Sequence, residues 1–172
     1  MRGFIVVGAE STGTRLVTKI LINMGCAGWD GHFQPFDKEP FGSTDLVVWR
    51  RSVPHSGQWL QLPFLVTRLR EAKREVHVVV TVRDWAITAA SQVRNKHAVT
   101  IPQAEEKIHR AYREIFGQIN ELKLPYTMVV YESLVLNSPQ AQFALAKQLR
   151  IDPSFVATEV TDQDLKWRRE IA

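Results

Sequence analysis

Four apolar runs punctuate the chain: Phe4 to Val7, Leu46 to Trp49, Val76 to Val82 and Tyr126 to Tyr131. The last two are almost continuously apolar and rich in β-branched residues. That pattern predicts strands buried on both faces of a parallel sheet. Between the runs the apolar period changes to that of a helix. Leu16, Val17, Ile20, Leu21 and Met24 predict one helix, which stops near Gly25. Residues 58–74 place Leu62, Leu65, Val66 and Leu69 on one face and end in basic residues. Residues 85–97 predict a shorter helix. Pro102 opens a long one with the stripe Ile108, Tyr112, Ile115, Ile119 and Leu122. A last helix is expected over 138–149.

Strand–helix alternation of this kind predicts an α/β fold. The expected form is a three-layer sandwich around a mostly parallel central sheet of four to five strands, with a P-loop type nucleotide site. Ligands of such sheets bind beyond the carboxyl ends of the strands. The 172 residues are expected to form a single domain, 1–172. Residues 26–45 lack a sustained period and read as a loop or lid over the site. Residues 151–172 read as a C-terminal tail.

Composition narrows the class without naming a function. Net charge is +4, compatible with an anionic ligand and too small to demand nucleic acid. Cys26 is the single cysteine, which excludes an intramolecular disulfide and a cysteine zinc site. No apolar run approaches the roughly 18 residues of a membrane span, and no signal-peptide pattern opens the chain. The expectation is a soluble cytoplasmic protein.

The chemistry begins at Gly8-Ala9-Glu10-Ser11-Thr12-Gly13-Thr14-Arg15, directly after the first strand. A glycine-bracketed loop running into a helix N-terminus gathers backbone N–H groups and the helix dipole around an anion. The spacing Gly8-x4-Gly13 fits the common nucleotide loop. That signature continues with Lys and Ser/Thr, whereas this chain has Thr14 and Arg15. The departure argues against an ordinary ATPase. A second landmark is Arg83, where the strand 76–82 ends. Ser91 lies eight residues on, about two helical turns into the next helix. Read alone, these two are equally a sheet-capping arginine and a solvated serine.

Three blocks in order resemble the sulfotransferase family, which uses the donor 3′-phosphoadenosine 5′-phosphosulfate (PAPS). Phe4 to Leu21 is similar to that family's 5′-phosphosulfate loop. Val79-Val80-Thr81-Val82-Arg83 with Ser91 resembles its 3′-phosphate clamp. Met128 to Leu134, followed by Ser138-Pro139, resembles its structural strand-to-helix block. The resemblance covers most of the chain to about residue 150. It implies sulfuryl transfer to a small-molecule or glycan acceptor, with no metal. It assigns the donor to Ser11, Thr12, Gly13, Thr14, Arg15, Arg83 and Ser91.

The resemblance also implies a base that deprotonates the acceptor. His55, in Trp49-Arg50-Arg51-Ser52-Val53-Pro54-His55, is the nearest candidate, with His32 and Glu10 as others. A surface-loop histidine fits the same segment. Positioned proton transfer contributes about 10²–10⁴ in rate. Aligned on Gly13, the family's loop carries Lys or Arg where this chain has Ser11. Arg15 is the residue expected to take over that charge. The tail Lys166-Trp167-Arg168-Arg169 reads either as a solvated basic end or as a lid over the nucleotide. Trp85 stands where the family usually has Pro. Loops 26–45 and 52–63 are the expected acceptor walls, and a pocket shared between copies in a homo-oligomer stays open. A P-loop kinase or nucleotide hydrolase is the first alternative, with Asp84 and Asp45 as weak candidates for its strand-end Asp. A non-catalytic nucleotide-binding module on the same fold is the second.

Overall fold

The computed structural model describes residues 1–28, 44–55, 57–155, 157 and 159–160. Most of the expected lid, His32 and the basic segment 166–169 lie outside the described residues. Among the described residues, five strands form one sheet: β1 (Arg2–Ala9), β2 (Ala27–Gly28), β3 (Leu46–Val53), β4 (Glu75–Val82) and β5 (Tyr126–Val130). The order is β2-β3-β1-β4-β5, and every neighbouring pair is parallel. Six helices connect them: α1 (Thr14–Asn23), α2 (Leu62–Glu71), α3 (Trp85–Arg94), α4 (Ile101–Glu121), α5 (Tyr131–Leu136) and α6 (Ser138–Gln148).

Strand alternation divides the core into two layers. Ile5, Val7, Val78 and Val80 meet Leu65 and Leu69 of α2, Ala89 of α3, and Ile108 and Ile115 of α4. Phe4, Val6 and Val79 face the other way, onto Val17, Ile20 and Leu21 of α1, Leu134 of α5 and Leu145 of α6. The expected three-layer sandwich is therefore present, with a sheet that is entirely parallel. No helix among the described residues is long and apolar enough to cross a membrane.

Four elements differ from the sequence reading. The helix expected over 58–74 starts only at Leu62, because Pro63 takes the first turn and His55 pairs its backbone with Gln58 before it. Its end, and that of the helix expected over 85–97, come early for a shared reason. Lys73, Lys96, Lys123 and Arg150, each just past a helix, adopt positive φ between 50° and 58°. Left-handed termination is ordinarily a glycine signal, so a lysine in that place reads as continuing helix. Short β2 and helix α5 carry too few residues to show a period.

Candidate functional site

The loops after β1, β3 and β4 open at the same carboxyl edge of the sheet. The first is held closely from beneath. A Cβ on Gly8 would lie 2.0 Å from Thr81 Oγ1 and 2.5 Å from Thr12 Oγ1, so only glycine fits there. Thr12 is buried, and both its N–H and its hydroxyl donate to the Ala9 carbonyl, at 3.2 and 2.7 Å. Its hydroxyl also lies 2.8 Å from Thr81 Oγ1. Its donors thus close the loop back onto the end of β1, and its contact with Thr81 ties the loop to β4. Ser11 then adopts φ 70°, and Gly13, at φ 89°, is the N-cap of α1. Among the described residues, no side chain caps that helix. Its first-turn N–H groups are therefore not taken up by a capping side chain.

Arg83 follows β4 and reaches back to this loop. Its Nη1 donates to the Ser11 carbonyl at 2.7 Å, and its guanidinium lies 4.6 Å over the Tyr131 ring. Tyr131 is buried at the start of α5, with its ring directly under Gly13. Loop, β4 terminus and α5 are thus one unit. Asp84 caps α3 by accepting from the Ile87 N–H at 2.9 Å, and its own N–H donates to Glu132 Oε1 at 2.9 Å. Ser91 is buried on α3, where its Oγ accepts from Asn95 Nδ2 at 3.3 Å. That contact uses an acceptor lone pair and leaves the hydroxyl hydrogen to donate.

At the end of β3, Ser52 Oγ lies 2.9 Å from Thr14 Oγ1 of α1. His55 follows in a tight turn, exchanging two 2.9 Å backbone hydrogen bonds with Gln58. Arg15 is exposed on the first turn of α1.

Glu10 follows β1 at the start of the loop. It is buried, its carbonyl accepts from Gln92 Nε2 at 2.9 Å, and its Oε2 lies 3.7 Å from His97 Nδ1. Lys107 donates to the His97 carbonyl. Burial pushes the Glu10 carboxyl upward, and His97 and Lys107 pull more weakly the other way. Gln92, within α3, and His97, just past it, reach Glu10 through tertiary packing, whereas helical spacing alone reads His97 as a surface residue. Tyr131 was read as structural, and its role beneath the loop has no local signal. Trp85 packs on His109, with ring centroids 4.7 Å apart. His77 sits in β4 with Nε2 2.9 Å from Thr127 Oγ1.

The two acidic candidates of the kinase alternative lie at opposite edges of the sheet, with Asp84 just after β4. Asp84 Oδ1 caps α3. Asp45 precedes β3 and accepts from the Arg2 N–H at 2.7 Å. It therefore lies at the amino edge of the sheet, eight strand residues away, or roughly 25 Å.

No family model matches the chain, and no curated protein matches it. Among solved structures the chain is similar to the crystal structure of a sulfotransferase from Alicyclobacillus acidocaldarius. The TM-score is 0.50 at 14% identity, over 99% of this chain and 90% of that one. The chain has a sulfotransferase-like fold. At that identity the likeness concerns the arrangement of sheet and helices, and chemistry has to be argued from the site itself.

Proposed function

We propose that the chain transfers a sulfuryl group from PAPS to an acceptor hydroxyl or amine. One observation carries the reading. Arg83 joins the glycine loop to the end of β4 through the Ser11 carbonyl, so an anion-binding helix N-terminus and a guanidinium share one rigid unit. The uncapped N–H groups at the start of α1 bind the 5′-phosphosulfate, aided by the dipole of α1. Thr14 and Ser52 flank it from α1 and β3. The Arg83 guanidinium and the Ser91 hydroxyl bind the 3′-phosphate.

His55 takes the acceptor proton as the acceptor oxygen or nitrogen bonds to sulfur. The bond between sulfur and the bridging oxygen breaks, and its electron pair leaves on the 5′-phosphate of adenosine 3′,5′-bisphosphate. Arg15 and the α1 N–H groups stabilise the charge that develops there. A missing donor at such a position typically costs about 2.7–4 kcal/mol.

Calorimetric titration of adenosine 3′,5′-bisphosphate and of ATP, with and without Mg²⁺, tests the reading on wild type and Arg83→Ala. Metal-independent binding of the bisphosphate, at least tenfold weaker in the variant, is expected. Preference for Mg-ATP, or affinity indifferent to Arg83, overturns it. Bisphosphate binding without transfer to any acceptor would instead favour the non-catalytic module.

A further inference from the structure

Beside His55, on the face of the sheet covered by α2, lies a cleft of about 550 Å³. Its size is that of a small-molecule site. Its described walls include Arg51, Gln58, Trp59, Leu60, Phe64 and Leu65, and none of the described lining residues is acidic. Leu60 and Leu65 are buried and make an apolar floor, whereas Phe64 stands half exposed at the rim. Trp59 is a flat aromatic wall, and the Arg110 guanidinium lies 3.8 Å over its ring.

The wall is held in place before any ligand arrives. Gln118 of α4 accepts from the Leu62 N–H at 2.9 Å and donates to the Leu60 carbonyl at 3.0 Å. One amide thus clasps both sides of the chain segment that carries the apolar floor. Such a preformed wall lowers the ordering cost of binding.

Arg51 supplies the charge. Its Nη2 donates to Gln58 Oε1 at 3.0 Å, and among the described residues that is its hydrogen-bonding partner. A guanidinium carries five N–H donors, so most of its fork remains for a planar anion. Burial lowers its pKa, the direction expected of a cation that lacks a neighbouring carboxylate.

We propose that this cleft binds a hydroxyl-bearing aromatic carboxylate, its ring against Trp59 and its carboxylate on the Arg51 fork. That this ligand is the acceptor rests on the transferase reading above; the binding itself does not. Gln58, which lines the cleft, pairs its backbone with His55, the base of that reading.

Calorimetry on the full chain with three probes of similar size tests this: 4-hydroxybenzoate, 4-hydroxybenzyl alcohol and 4-hydroxycyclohexanecarboxylate. The aromatic acid is expected to bind at least tenfold more tightly than either of the others. Arg51→Gln should lose that advantage and leave the affinity for the neutral alcohol unchanged, and Arg51→Lys should restore it in part. Trp59→Leu should weaken the aromatic acid and leave the cyclohexane acid unaffected. Equal binding of acid and alcohol by the wild type, which needs no variant to fold, overturns the proposal. So does an Arg51→Gln protein that binds the acid like wild type. Adenosine 3′,5′-bisphosphate, titrated in parallel, separates the two readings. Bisphosphate binding without acid binding removes the cleft proposal alone. Acid binding without bisphosphate binding removes the transferase reading and leaves the cleft.

Discussion

The ring of Tyr131 occupies the space that a side chain on Gly13 would need. A Cβ there would lie 2.5 Å from Tyr131 Cδ2, and Gly13 itself sits at φ 89°. Two independent costs therefore meet at one position, a left-handed backbone and a collision with a buried ring.

Gly13→Ala is accordingly expected to destabilise the fold by roughly 1–3 kcal/mol. Adding Tyr131→Ala should recover the part due to the collision and none of the part due to φ. A double-mutant cycle on urea midpoints measures that coupling. Strict additivity of the two substitutions would show that the ring does not constrain the loop.

Glu10 makes stability depend on pH in a definite direction. Burial raises its folded-state pKa above that of the unfolded chain, so the folded protein keeps the proton over a window in which the unfolded chain has lost it. Stability then falls as pH rises from the ordinary carboxylate range through that window. Glu10→Gln is expected to flatten this slope and to gain stability relative to wild type above the window. Urea unfolding at several pH values checks it. Parallel profiles for the two proteins would mean that the carboxyl does not titrate differently on folding.

Cys26 is buried, and burial pushes its thiol up to about 12. The nucleophile is the thiolate, which is then scarce at neutral pH. Native protein is expected to resist a thiol reagent such as iodoacetamide, and protein unfolded in urea to react at the rate of a free cysteine. Comparable rates in both states, followed by mass spectrometry, would contradict this.

The sequence by itself determined the class of fold and the position of the glycine loop. The apolar runs of β1 and β4 and the stripes of α1 and α4 are local patterns, and each is repeated often enough to read. Gly8 and Gly13 bracket the loop because backbone geometry at a strand-to-helix turn is also a local matter. The end of α1 was legible because Gly25 marked it. Lysine in the left-handed place after α2 and α3 hid their ends.

Tertiary structure alone decided what the loop residues do. Whether the Thr12 hydroxyl faces a ligand or the Thr81 hydroxyl depends on β4 lying beside β1. Arg83 meets Ser11 across 72 positions of chain, and Gln92 meets Glu10 across 82. Tyr131 comes under Gly13 because β5 pairs with β4 and delivers α5 to the same edge of the sheet. Strand order creates these contacts. A period or a spacing records only the neighbours of a residue along the chain, so it cannot show which distant side chain completes the site.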